Sequence, residues 1–479
     1  MTMFPIPLMS RRPLALACLS ALALSACVST GQYRVDPPAV PASYGRGDAA
    51  RNAPVQAVAV SPAEAGADVR RDAWWNGFGD PQLDAVIARA LAANTDLASA
   101  GLAVQRARLQ AGLADNAMWP QPSGSVGSSG NRAIDQSADW NRSSSASVGL
   151  QWEVDLWGRL RAQRDIAQWE AQASAEDLQN TALLVIGDVA TQYWTLAFLN
   201  QSISAGEANL ARLQRTLQLV QARFDAGAVS RLEVRQASQS LEAQRAAQSA
   251  LEQQRVATRN ALTVLLDGQP LALADEPRQL ERATSPAIAE GLPADLLGRR
   301  PDLRAAELRL RNSLKTIKVT ATRYYPALSL TGSVGTGATS LSDVLKHPVA
   351  TLGAGLSLPF LNVRQAELDT RLAGTDYQIA ANDFRRTLYT ALSEVDNALS
   401  ARTQFATQVA ASQASYDEAV EIERMYEVRY RVGATDLRTW LEAQQTRRDA
   451  ELSLASVKQR QLVNDVTLFK ALGGSANAP

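Results

Sequence analysis

The chain has 479 residues, 46% hydrophobic but only 6% aromatic, and its Lys plus Arg balance its Asp plus Glu at 48 each. Balanced charge leaves no global field to attract nucleic acid or an acidic surface, so binding to polyanions is not expected. Cys18 and Cys27 are the two cysteines and both precede residue 30, so the mature body can hold neither an internal disulfide nor a cysteine-built zinc site. A composition rich in Ala, Gln, Leu and Arg suits long helices better than compact cores.

Residues 1–26 read as an export signal, with Arg11 and Arg12 in a positive start and an apolar run from Leu14 to Ala26 that is too short to span a bilayer. The run ends in Leu24-Ser25-Ala26-Cys27, which resembles a bacterial lipobox; Cys27 is then acylated and becomes the new N-terminus. Cys18 follows a poorer triplet, and Ser10-Arg11-Arg12 leaves a twin-arginine route open. Val28 is not an acid, which favours sorting to the outer membrane. No later stretch is expected to reach the roughly 18 apolar residues of a membrane helix, so any spanning must use strands.

Beyond the leader the chain matches itself at a shift of 206 residues. Trp119-Pro120 pairs with Tyr325-Pro326, Gly149-Leu150 with Gly355-Leu356, and Leu266-Asp267-Gly268 with Leu472-Gly473-Gly474. One unit is therefore duplicated, as residues 81–268 and 294–479, joined by a proline-rich linker at 269–293 that is expected to be irregular surface chain. Each copy reads as a helix, two strands, a very long helix and a second helix. No proline occurs from Ser123 to Gln269 or from Phe360 to Ala478, so helices can run unbroken. Leu196, Leu199, Ile203, Gly206, Leu210, Leu213, Leu217, Val220 and Phe224 alternate steps of three and four, a coiled-coil repeat with one gap at Gly206. A continuous helix from Trp157 to Ala226 would be on the order of 100 Å long.

Between the first and the long helix of each copy lie strand-like segments with period-two alternation. Ala146, Val148, Leu150, Trp152 and Val154 share one face; Ser145, Ser147, Gly149, Gln151 and Glu153 share the other. In the second copy Leu328, Leu330 and Val334 alternate with Ser329, Thr331 and Ser333, and Leu352, Ala354, Leu356 and Leu358 with Thr351, Gly353, Gly355 and Ser357. An apolar outside and a small, polar inside suit an outer-membrane barrel wall; two hairpins of a soluble sheet are the alternative. Four strands cannot close a barrel, and an open edge in lipid leaves backbone groups unsatisfied, so other chains must supply the rest. Three chains would give twelve strands about one axis.

Several blocks in order carry a family resemblance: Trp74-Trp75-Asn76-Gly77-Phe78-Gly79-Asp80-Pro81-Gln82-Leu83, Trp152-Glu153-Val154-Asp155-Leu156-Trp157-Gly158-Arg159, Gly298-Arg299-Arg300-Pro301-Asp302-Leu303, Tyr324-Tyr325-Pro326 and Tyr430-Arg431-Val432-Gly433. With the segment Asn94 to Leu97, the chain resembles the TolC-like outer-membrane factors, most closely the lipoprotein branch serving resistance-nodulation-division efflux. The resemblance implies a mainly α fold with a β-barrel part: a trimeric twelve-stranded barrel on a long coiled-coil periplasmic barrel, with residues 27–80 forming a lipidated segment and part of an equatorial collar. It implies a homotrimer in outer-membrane lipid, a periplasmic adaptor, an inner-membrane pump, and no cofactor beyond the lipid on Cys27. Adaptor docking falls at the tip, on Gly227, Ala228 and Ser230 and on Gly433, Ala434 and Thr435. Glycine there either permits a tight turn with close partner approach or simply caps a helix. Tyr430 matches a lumen-plugging position, with Asp436 and Glu442 the nearby acids of the aperture; facing the threefold axis they would crowd six carboxylates together and favour cations. The departure at Leu437-Arg438 bears on those gate contacts.

The implied function is a passive exit duct for small molecules such as drugs, opened by the adaptor and powered by the pump. A type I protein-secretion outlet and a non-channel coiled-coil lipoprotein are the alternatives. An enzyme is not expected: the single histidine, His347, lies beside Pro348 with no partner ligand, and Gly332-Ser333-Val334-Gly335-Thr336-Gly337 is not followed by a helix start.

Overall fold

The computed structural model describes residues 73–133, 139–280, 285–286, 296–339, 346 and 348–474, all within one compact unit, Ala39–Pro479. The signal segment, Cys27 and His347 lie outside the described residues.

A short 3-10 turn, Trp74–Phe78, leads into helix α1, Pro81–Ala93. Asp80 caps α1 by accepting from the Gln82 and Leu83 amides, and Pro81 takes the first helical position, where a missing N–H costs nothing. Helix α2, Thr95–Asn116, is followed by strands β1, Gln121–Asn131, and β2, Asn141–Val154. Helix α3 then runs from Arg159 to Asp225 and α4 from Arg231 to Leu265. The second copy repeats the order as α5 Pro301–Thr322, β3 Ala327–Ala338, β4 Val349–Ser357, α6 Val363–Arg431 and α7 Leu437–Leu472. With 67 residues α3 is on the order of 100 Å long, and α6, with 69, matches it.

The strands form one antiparallel sheet in the order β1-β2-β3-β4, whose outer edges are β1 and β4. Beneath the sheet the helices lie side by side as α2-α3-α5-α6; farther down the order becomes α4-α3-α7-α6. Among the described residues the edges of this layer, α2 and α4 on one side and α6 on the other, have no comparable packing partner.

The largest core sits where the short helices meet the long ones. Trp74 stacks on Phe469 of α7 with ring centroids 4.7 Å apart, and Phe78 packs against Trp194 of α3. Tyr193 is fully buried and donates its hydroxyl hydrogen to Asp80 at 2.8 Å. The N-terminal block, the first copy and the C-terminal helix are thus joined through one aromatic cluster. Part of α3 here is apolar enough by composition to cross a membrane, contrary to the sequence expectation. That stretch is 67% buried, consistent with a helix packed inside protein.

Two further expectations change. The linker is not simply surface chain: Glu276 and Leu280 are buried, and Arg402 donates to the Pro286 carbonyl at 2.6 Å. Gly206 is not a gap in the heptad pattern either. A Cβ there would lie 2.1 Å from Oε1 of Gln248, whose Nε2 donates to the Ile203 carbonyl at 3.2 Å. One turn on, Asn209 donates to Gln244 at 3.0 Å, so a buried polar seam joins α3 and α4 where an apolar one was expected.

Candidate functional site

Two regions present chemistry to their surroundings, the sheet and the far ends of the long helices. In the sheet, pairing fixes which side chains share a face. Val148 lies opposite Val334, Trp152 opposite Leu330, and Leu328 opposite Leu356, so the large apolar side chains of both copies fall on one face, with Val349 the exception in β4. Leu352 is 91% and Val126 80% exposed, a cost that only an apolar environment removes. The other face holds Ser125 opposite Ser147 and Thr331 opposite Gly353, a wall of hydroxyls and hydrogens. Gly332 to Gly337 lie within β3, which excludes a phosphate-binding loop.

The sheet is stapled to α3 through the Trp152–Arg159 block. Glu153 receives two bonds from Arg159, at 2.6 and 2.7 Å, and Trp157 donates to the Pro326 carbonyl at 2.7 Å. Burial pushes the Asp155 carboxyl up, but the Arg161 and Leu160 amides and the Arg161 guanidinium outweigh it and hold it below the usual range.

At the helix ends Gly227 and Gly433 adopt φ of 75° and 78°, the left-handed region open to glycine. The Ala228 amide donates to the Arg223 carbonyl and the Ala434 amide to the Arg429 carbonyl, both at 2.8 Å, closing the helices with the same cap. Nothing lies within 4 Å of a Cβ added at either glycine, so the turns are capped and also open to a partner.

Ser230 and Asp436 both precede the next helix, but only Asp436 caps it, accepting from the Thr439 amide at 2.9 Å and hydroxyl at 2.6 Å. Those two bonds hold its carboxyl below the usual range. By position Ser230 therefore corresponds to Asp436, and Val229 to Thr435. Glu442 pairs with Arg438 at 2.8 Å. Of the two acids named for the aperture, Asp436 caps a helix and Glu442 pairs with an arginine one turn before it.

Tyr430, expected to plug a lumen, is 2% exposed and packed within its own chain. Its ring stacks on Trp440 at 5.1 Å and lies under the Arg223 guanidinium at 4.8 Å, while its hydroxyl donates to Glu233 at 3.3 Å. Burial pushes the phenol pKa up. Arg223 also donates to the carbonyls of Tyr430, at 3.3 Å, and Arg431, at 2.9 Å. Sequence reasoning missed Arg223, Glu233 and Trp440, because the contacts joining them to Tyr430 cross between copies or between helices. Nearby, Leu217, Gln221, Ala222, Val234, Arg235 and Ser238 line an open groove of about 560 Å³ between α3 and α4. In the second copy Trp440 occupies the position of Val234 and is buried.

Comparison with known proteins gives one consistent result. The family described as outer membrane efflux protein matches residues 86–268 and again 292–474. The pyoverdine export outer membrane protein OpmQ of Pseudomonas putida is 32% identical over 445 residues, covering 88% of this chain and 92% of that protein. The toluene efflux pump outer membrane protein TtgC of Pseudomonas putida is 29% identical over 479 residues, covering 97% and 96%. Among solved structures, the open state of the Neisseria gonorrhoeae MtrE outer membrane channel superposes with a TM-score of 0.78 at 26% identity, covering 92% of this chain and 97% of that one.

Proposed function

Because the chain belongs to the outer membrane efflux protein family, whose members are channels and not enzymes, we propose that three copies assemble into a passive exit duct for small molecules, closed at its helical tip and opened there by a periplasmic adaptor. One observation carries this reading: a four-stranded sheet with an exposed apolar face and two edges unpaired among the described residues stands on helices on the order of 100 Å long. Three such sheets make an even-stranded barrel, and the same axis gathers the helices into a tunnel.

Gly227, Ala228 and Ser230, with the groove beside them, offer the adaptor an accessible surface, and Gly433, Ala434 and Thr435 a second. The Arg223–Tyr430–Trp440 contacts tie the two helix pairs together and favour the closed tip. An adaptor opens it only by binding the open arrangement more tightly. A resistance-nodulation-division pump supplies the energy, and the lipid on Cys27 holds the chain at the membrane. The names of OpmQ and TtgC, a pyoverdine exporter and a toluene efflux component, support small molecules over secreted proteins. The test is conductance of the purified protein in a planar bilayer with its mass measured in parallel. A trimer passing ions is expected; a stable monomer silent toward ions would refute the duct.

A further inference from the structure

Transfer of sugar to an asparagine amide follows the pattern Asn-x-Ser/Thr, x being any residue but proline. The pattern occurs twice in the chain, at Asn141-Arg142-Ser143 and at Asn200-Gln201-Ser202. The first alone has an acid two residues earlier, Asp139 where the second has Phe198. Bacterial periplasmic transferases read that acid, whose charge pairs with a cation of the enzyme. In an extended chain every second residue shares a face, so Asp139, Asn141 and Ser143 present a carboxylate, an amide and a hydroxyl to one cleft.

The structure separates the two asparagines. Asn200 lies within α3, where its Nδ2 donates to the Pro277 carbonyl at 2.8 Å, and Ser202 is buried. An amide held in this way is closed to an enzyme. Asp139, Trp140, Asn141, Arg142 and Ser143 are all exposed, the first two outside regular structure and Asn141 on the last rung of the β1-β2 ladder, opposite Asn131. The Asn141 side chain makes no hydrogen bond to any described residue. Asn131 is likewise exposed and followed by arginine, but Ala133 stands where the hydroxyl is needed, which makes it an internal control. β1 rises from the end of α2 and β2 returns to the start of α3, so this rung is at the end of the sheet away from the helices. In an outer-membrane channel whose helices reach into the periplasm that end faces outward, and a bulky polar glycan there stays clear of the apolar face.

We propose that Asn141 is an N-glycosylation site, taking an oligosaccharide from a polyprenyl-diphosphate donor in the periplasm before the sheet is built into its barrel. Nδ2 of Asn141 forms a bond to the anomeric carbon of the first sugar and gives up one hydrogen as a proton to a base of the transferase. The bond from that carbon to the diphosphate oxygen breaks, and its electron pair leaves with the polyprenyl diphosphate. Asp139 and Ser143 hold the chain in the transferase and undergo no reaction themselves. Transfer comes before assembly because donor and enzyme are in the periplasm, whereas the finished hairpin tip lies across the membrane from them. The site depends on the hairpin tip alone, so its failure leaves the duct standing.

Glycopeptide mass spectrometry of the full-length protein, taken from the outer membrane of its own host, tests the site. A sugar mass is expected on Asn141 and none on Asn131 or Asn200. Asn141→Gln in the same host should remove it. Asp139→Ala should lower its occupancy at least about tenfold through loss of one charge-assisted contact with the transferase. Both variants should keep the oligomeric mass of the wild type, because both side chains are exposed and outside the core. Bare Asn141 in the wild type, an occupancy that Asp139→Ala leaves unchanged, or sugar on Asn131 or Asn200 in its place overturns the proposal.

Discussion

Arg223→Ala removes the contact that reaches farthest across the tip, from the end of α3 to the last carbonyls of α6. It deletes two charge-assisted hydrogen bonds, about 1.5–3 kcal/mol each when well formed and shielded, and a cation–π contact of about 0.5–1 kcal/mol. Arg223 is partly exposed, so solvent screening cuts the total to about 1–3 kcal/mol. If that energy favours the closed arrangement alone, the ratio of open to closed tips rises about five- to 150-fold. Single-channel recording of purified protein would read it as longer open dwell times at unchanged full conductance. Arg223→Lys keeps the charge but loses the fork and should fall between the two. An Arg223→Ala trace that overlays the wild type, from protein of unchanged thermal midpoint, would refute the idea that these contacts hold the tip shut.

Three further outcomes are expected. Gly206→Ala drives a Cβ against Gln248 and breaks its bond to Ile203, so despite better helix propensity the variant should lose about 1–2 kcal/mol, read as a lower thermal midpoint. Burial raises the Asp465 pKa, against the opposing bond from Ser285 and the charge of Arg402. The folded state therefore holds this proton at pH values where the unfolded chain has released it, and stability should rise as pH falls through the folded pKa toward about 3.9; Asp465→Asn should flatten that rise in melts across pH. Cys27→Ser should abolish acylation and weaken assembly, and intact-mass spectrometry finding no diacylglyceryl on the wild type would remove the anchor.

What could be read from the sequence was what depends on short-range period. Alternation along β2, β3 and β4 gave the faces of the sheet, since successive side chains point opposite ways. The absence of proline gave the long helices. β1 was harder to read, because Val126 is the one large apolar residue in its Ser- and Gly-rich run. The tip was legible only in part. Gly227 and Gly433 fit both readings weighed for them, but Tyr430 is placed by Arg223 across a separation of 207 residues, and no local pattern reports such a contact. Asp436 sits before a helix and Glu442 inside it, beside an arginine, and the different partners of the two acids depend on that local geometry rather than on residue type.

The hydroxyl-lined face of the sheet bears on how cargo leaves. A departing solute meets Ser125 and Ser147 at one level and Thr331 and Gln151 at another, while the one acid on this face among the described residues, Glu153, is neutralised by Arg159. Apart from Val349 at the start of β4, such a coating offers little apolar surface for adhesion and, among the described residues, no unpaired charge for capture, so the last stretch of the journey sorts little and stores no work. Direction must be imposed upstream, and the exit need only stay slippery.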